Sequence, residues 1–217
     1  IVGTRSYGSD LDKIKEHALA HITGLQKNGV AATMKHWPGE GYDDREQHLV
    51  TTMNPLSYEE WLTTYGEIYS SLIKSGVISV MSAHISFPAY MREIYPDGGE
   101  KIFKPASINY DITTGLLRDK FGFNGIIVSD ATEMAGLGSW ITRESAPVEI
   151  INAGCDVILF SLDPERDIES VITAVTEGRL SEDRINQSVA RVLALKHKSG
   201  LFEKKVVSNN ISMKLSD

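Results

Sequence analysis

Four short apolar runs, VAATMK (30–35), VISVMSA (77–83), GIIVSD (125–130) and DVILF (156–160), each follow a segment with helical spacing. That alternation constrains the fold more than any other feature of the chain. Strands that read as continuous apolar runs are buried on both faces, and helices between them supply the cover. The pattern therefore predicts a parallel sheet flanked by helices. From 10 to 28 the apolar residues Leu11, Ile14, Ala18, Ile22 and Leu25 recur at helical intervals, with Ser9 or Asp10 as cap and Gly29 as stop. Ser57 caps a second helical segment over 58–76, and others read at about 110–120, 146–153, 165–178 and 181–198. An open doubly wound sheet uses roughly four or five such strands, and a (β/α)₈ barrel uses eight over about 250 residues. Periodicity alone leaves both architectures open.

The bulk numbers narrow the function classes. With 217 residues and 41% apolar content the chain can build one sizeable core. A net charge of -7 argues against a nucleic-acid or anionic-membrane binder, which needs clustered Lys and Arg. No apolar run reaches the ~18 residues of a membrane span. The single cysteine, Cys155, excludes an internal disulfide and a cysteine metal cluster. It fits a reducing compartment, so a cytoplasmic location is favoured, with secreted and lipid-anchored forms left open. The opening Ile1-Val2-Gly3 has neither initiator Met nor charged leader and reads as an interior beginning.

Polar residues gather where the apolar runs end: Lys35-His36, Ser82 to His84, and Ser129-Asp130. Parallel α/β folds carry their chemistry at that rim. Asp130 either caps the following turn or acts as a carboxylate nucleophile or base delivered by a rigid strand. Lys35 and His36 either reach solvent and a local partner or donate to a polar ligand. Glu46 and His48 are spaced so that the carboxylate can fix the imidazole tautomer; the other reading is a solvated acidic loop. His84 reads as structural or pocket-lining. No HExxH, P-loop, GxGxxG or GxSxG is present, so neither a metal nor a cofactor is expected.

The order of segments is more specific than any one of them. RSYGSD (5–10), GLQKNGVAATMKHWPGEG (24–41), EQH (46–48), PASINYDITTGLLRDKFGFNGIIVSDATEM (105–134) and INAGCDVILF (151–160) follow one another. Together they resemble the barrel domain of glycoside hydrolase family 3, particularly its β-N-acetylhexosaminidase branch, from about Arg5 to about Phe202. The resemblance implies a TIM-type (β/α)₈ barrel whose early strands lie upstream of this chain, with 1–202 as its C-terminal portion and 203–217 as a polar tail or linker. It also implies Asp130 as nucleophile, His48 as general acid/base with Glu46 as its partner, and Arg5, Lys35 and His36 as the grip on the sugar. His84 and Met134 then line the pocket. The implied activity is retaining hydrolysis of a terminal β-linked GlcNAc from peptidoglycan fragments or chitooligosaccharides, through a covalent glycosyl-Asp intermediate. A family 3 β-glucosidase and an inactive sugar-binding remnant are the alternatives, and the isolated chain is expected to turn over little.

The segment departs from its relatives in three respects. Glu40 follows Pro38-Gly39 where many have a histidine, Glu46 stands for the usual Asp with Gln47 rather than a small residue before His48, and Asp43 and Asp44 add acidity. Gly39 and Gly41 are expected to act as swivels, letting the strand-borne grip and the arm carrying His48 move independently.

Overall fold

A computed structural model describes residues 2–203. The tail expected over 203–217 lies, from 204 on, outside the described residues. The chain opens with helix α1 (Leu11–Lys27), where the Asp10 side chain accepts from the backbone N–H groups of Asp12 and Lys13. Gly29, at φ +80, stops it. Strand β1 (Thr33–Trp37) follows, and after a long loop comes β2 (Thr52–Met53). Ser57 and Glu60 form a capping box at the head of α2 (Tyr58–Trp61). This helix continues through a π-helical stretch, Leu62–Gly66, into α3 (Glu67–Lys74). Gly66 lies in that stretch where a Cβ would come within 3.1 Å of the Trp61 ring.

Strand β3 (Ser79–Ser82) leads into β4 (Ile85–Ser86) and α4 (Pro88–Ile94), which starts on a proline whose missing N–H would have no helical partner. A π-type helix over Asp111–Lys120 precedes β5 (Ile126–Ala131), and α5 (Ala135–Gly138) and α6 (Ala146–Ala153) precede β6 (Val157–Leu159). Helices α7 (Pro164–Thr176) and α8 (Glu182–Lys198) complete the described fold. Strands β2 and β4 pair with each other in a small second sheet that the sequence did not announce. At two residues each they are too short to show a period.

The main sheet is wholly parallel, in the order β1-β3-β5-β6. Each strand therefore lies beside the next one of that sheet in the chain, with no reversal. A doubly wound sheet reverses at its switch point, whereas an unreversed order is that of a barrel wall. Inner strands β3 and β5 are almost wholly buried, but Thr33 and Lys35 on β1 and Val157 on β6 are exposed. Exposure at the two outermost strands is what an arc of barrel wall with two free edges produces.

Aromatic packing anchors β1 to the helices. Trp37 meets Trp61, Tyr69 and Phe121 edge-on, with ring centroids 5.5, 4.7 and 6.0 Å away, and its indole N–H donates to the Ile112 carbonyl. Trp37 and Trp61 have no exposed surface; emptying such a site by substitution with Ala costs about 3–5 kcal/mol.

The opposite end of the sheet is tied by charge. Asp156, just before β6, has a side chain without solvent exposure. Its Oδ2 accepts from Arg118 Nη2 at 2.6 Å and from the Ile127 N–H, and its Oδ1 accepts from Ser188 Oγ at 2.8 Å. Guanidinium nitrogens of Arg184 and Arg191 stand 3.5 Å from the same Oδ1. One carboxylate thus links the Asp111–Lys120 helix, β5, β6 and α8. Neighbouring Cys155 is buried, and burial pushes its thiol up to about 12, which leaves it unreactive.

Candidate active site

The C-terminal rim of the sheet collects the titratable residues. Asp130 comes near the end of β5 and is only 7% exposed. Its Oδ1 accepts from the Ala131 N–H at 2.9 Å, and its Oδ2 is buried with no hydrogen-bond partner. The side chain does not reach forward to cap the next turn. Behind it, His84 is fully buried, with Nε2 2.9 Å from the Ala131 carbonyl and Nδ1 2.8 Å from Ser107 Oγ. Burial pushes the His84 imidazole below its ordinary value, and the Ala131 carbonyl and the Asp130 charge offset this only in part. The neutral ring donates from Nε2 to Ala131 and accepts the Ser107 hydroxyl proton at Nδ1. His84 therefore braces the backbone beside Asp130, with both ring nitrogens already engaged. Met134 is buried at the turn into α5.

On β1, Lys35 is exposed and His36 is nearly buried, and the Lys35–His36 and Trp37–Pro38 peptides are both cis. His36 Nδ1 lies 2.6 Å from Glu40 Oε2, at ion-pair distance but off the line of a hydrogen bond. Glu40 Oε1 accepts from Gln47 Nε2 at 3.0 Å. Burial pushes the Glu40 carboxyl up, but the contact with His36, the Gln47 amide and the charge of Arg5 outweigh it, so the carboxyl sits below its ordinary value. Arg5 is exposed at the end of a short 3₁₀ turn, Gly3–Arg5, and its charge reaches the same group.

The arm beyond Glu40 carries an ordered dyad. His48 Nδ1 is 2.6 Å from Glu46 Oε1, and this bond, together with the His48 backbone N–H, holds the Glu46 carboxyl below its ordinary value. A carboxylate can only accept, so Nδ1 carries the proton and Nε2 faces outward for chemistry. The His48 side chain is 69% exposed. The arm is fastened next to β5: the His48 carbonyl accepts from the Ala135 N–H at 3.0 Å, and Thr51 Oγ1 donates to the Gly136 carbonyl. Trp140 Nε1 donates in turn to Thr51 Oγ1 at 2.7 Å. A Cβ at Gly136 would stand 2.5 Å from the Gln47 carbonyl, so only glycine lets the two segments approach.

Two expectations need correction. Gly39 is not a free swivel: a Cβ there would lie 2.5 Å from the Tyr65 ring. The turn is held by three hydrogen bonds, from Trp61 Nε1 to the Pro38 carbonyl, from buried Asn54 to the Gly39 carbonyl, and from the Tyr65 hydroxyl to the Glu40 carbonyl. Nor are grip and arm independent, because Glu40 touches His36 on one side and Gln47 on the other. Sequence reading marked Gln47 only as a larger residue beside His48, without its contact to Glu40, and missed Asn54 and Tyr65. Their partners are 7, 15 and 25 residues away, beyond the reach of any local pattern.

Asp43 explains part of the added acidity. Its carboxylate accepts from the Arg45 side chain and backbone and from the Met53 N–H, closing the arm onto β2. The Arg45 contact, working against partial burial, brings the Asp43 carboxyl down to about 2 from an ordinary 3.8. A depressed carboxyl stabilises the fold fully above its unfolded value and loses that contribution as pH falls through its folded value. Urea unfolding at pH 7 and pH 3 is therefore expected to show a smaller acid loss for Asp43→Asn than for the parent. Equal losses would remove Asp43 as the arm's acid-labile clasp.

The rim holds a buried carboxylate with a free oxygen, an exposed imidazole ordered by a carboxylate, and cations at Lys35 and Arg5. Of the buried side-chain polar atoms lacking a partner among the described residues, Asp130 Oδ2, Glu40 Oε2 and Gln47 Oε1 belong to these segments. Among the same residues, no group of three or more His, Cys, Asp or Glu could hold a metal ion, and no helix is long and apolar enough to cross a membrane.

Comparison with known proteins places these segments in context. The model for "Glycosyl hydrolase family 3 N terminal domain" matches residues 2–195. A "Beta-N-acetylglucosaminidase/beta-glucosidase" of Cellulomonas fimi is 38% identical over 93% of this chain and 36% of its own length. The solved structure of "Beta-glucoside phosphorylase BglX" superposes with a TM-score of 0.89 at 40% identity, covering 93% of this chain and 36% of that one. A family 3 beta-N-acetylglucosaminidase from Paenibacillus sp. str. FPU-7 gives a TM-score of 0.85 at 32% identity, over 96% of this chain and 38% of that one. The chain thus spans little more than a third of each of these three proteins.

Proposed function

This chain belongs to glycosyl hydrolase family 3, as part of its N-terminal domain, and on that premise we propose that it carries the catalytic rim of a retaining β-glycosidase acting on terminal β-linked N-acetylglucosamine. The observation that carries the reading is Asp130 Oδ2: a buried carboxylate oxygen, without a partner, on a rigid strand beside the fastening point of the His48 arm. Such an atom costs folding energy and is well placed to attack.

In the first half of the cycle the Asp130 carboxylate forms a bond to the anomeric carbon as the glycosidic C–O bond breaks. The departing oxygen takes the proton from His48 Nε2. Glu46, ionised and bonded to Nδ1, stabilises the imidazolium before that transfer. In the second half His48 takes a proton from water, whose oxygen attacks the anomeric carbon and frees Asp130. Lys35, His36 and Arg5 hold the sugar hydroxyls. Peptidoglycan fragments and chitooligosaccharides both present such a terminus.

A second reading is favoured by the 40% identity to a beta-glucoside phosphorylase and by the dual name of the Cellulomonas fimi relative. Here the sugar is glucose, and phosphate replaces water in the second half, giving a sugar 1-phosphate. One assay separates these. Aryl β-GlcNAc and aryl β-glucoside are offered to the full-length protein and to His48→Ala, with and without inorganic phosphate. The first reading expects release of free GlcNAc, lowered about 100-fold or more in His48→Ala. Cleavage of the glucoside alone, or a phosphate-dependent sugar 1-phosphate, moves the assignment to the second. Full activity in His48→Ala sinks the mechanism in both.

A further inference from the structure

Glu40 occupies a place that neither the grip nor the arm accounts for. It is nearly buried, with a side chain 11% exposed, and it is ionised in a position that disfavours charge. Its two oxygens face different parts of the site: Oε2 meets His36 Nδ1 at 2.6 Å, and Oε1 accepts from Gln47 Nε2 at 3.0 Å. Its backbone is fixed too, since its carbonyl accepts from the Tyr65 hydroxyl at 2.7 Å. Gln47 is 2% exposed and stands between Glu46 and His48 in the chain, so holding Gln47 sets where the dyad projects. The negative charge 2.6 Å from His36 Nδ1 favours a proton on that nitrogen over a lone pair, which leaves Nε2 free for the sugar.

We propose that Glu40 is a positioning residue that fixes the tautomer of His36 with one oxygen and, through Gln47, the placement of the Glu46–His48 arm with the other. This role rests on the glycosidase reading above. It makes grip and acid catalysis a coupled unit, because both depend on the same carboxylate.

Two substrates and two variants of the full-length protein test it. A dinitrophenyl glycoside departs without needing a proton, whereas a phenyl glycoside needs the acid. Glu40→Ala loses both contacts. It is expected to lower kcat/KM about 100-fold on the phenyl glycoside but only about tenfold on the dinitrophenyl one. Glu40→Gln keeps an oxygen for Gln47 and offers His36 an amide. It is expected to raise KM on both substrates by a similar factor, without new dependence on the leaving group.

The tautomer is read without substrate. Nitrogen-15 spectra of His36 should show the proton on Nδ1 in the parent and on Nε2 in Glu40→Gln. Equal losses on both glycosides in Glu40→Ala, or an unchanged His36 tautomer in Glu40→Gln, would overturn the role. A parent protein inactive on both glycosides overturns the proposed function instead, and the role given to Glu40 falls with it.

Discussion

Replacing Asp130 by Asn abolishes turnover and leaves the protein as stable as before, or more so. The two halves of that expectation come from the two oxygens of one side chain. Oδ1 accepts from the Ala131 N–H, and an asparagine oxygen does the same. Oδ2 is buried without a partner, so a neutral amide there removes a charge that the fold accommodates at a cost. Chemistry suffers because an amide does not form the glycosyl intermediate; loss of a nucleophile of this kind lowers kcat by about 10⁴-fold or more. Steady-state rates on an aryl β-glycoside, paired with thermal unfolding of the same samples, read both halves. Retention of a tenth of the parent rate would take the nucleophile role away from Asp130. A large fall in Tm would show that Oδ2 is held by a stabilising partner in the folded protein.

The second large effect lies at the other end of the sheet and touches stability. Asp156→Ala strips one carboxylate from Arg118, Arg184 and Arg191, whose side chains are only 10%, 15% and 21% exposed. It also frees the Ile127 N–H and Ser188 Oγ. Removing one partner of a buried ion pair leaves uncompensated charge, and the usual loss is about 3–5 kcal/mol. Urea unfolding should show that drop in Asp156→Ala. Arg191→Ala removes the most exposed of the three guanidiniums, which stands 3.5 Å from Oδ1, and should show far less. A loss under about 1 kcal/mol for Asp156→Ala would mean that helices and strands hold this end without the network.

Much of this was legible beforehand for a physical reason. Burial on both faces writes a strand as an unbroken apolar run, so the readings at 30–35, 77–83, 125–130 and 156–160 lie over β1, β3, β5 and β6. Caps are local chemistry, and Asp10, Ser57 and Ser181 were readable or fell at the boundary for that reason. The strand ends likewise marked Lys35, His36 and Asp130. What stayed hidden depends on contacts distant in sequence. Asp156 reads only as the first residue of an apolar run, because the partners that give it meaning are 28 to 38 positions away in the chain. Gly39 reads as a hinge until the Tyr65 ring is seen against it. A titratable loop shows its inventory in the sequence, but which carboxylate serves which histidine is decided in three dimensions.

The placement of the three tryptophans has an optical consequence. Trp37 and Trp61 are sealed behind the grip, where the indole of Trp61 is bonded to the Pro38 carbonyl. Both should emit in the blue and stay indifferent to ligand. Trp140 is partly exposed and bonded to Thr51, at the foot of the arm. Of the three indoles of this chain, Trp140 is therefore the one expected to change its emission on adding a sugar. Within this chain Trp140 is thus an indole in contact with the arm, and Trp37 and Trp61 are two buried references beside it.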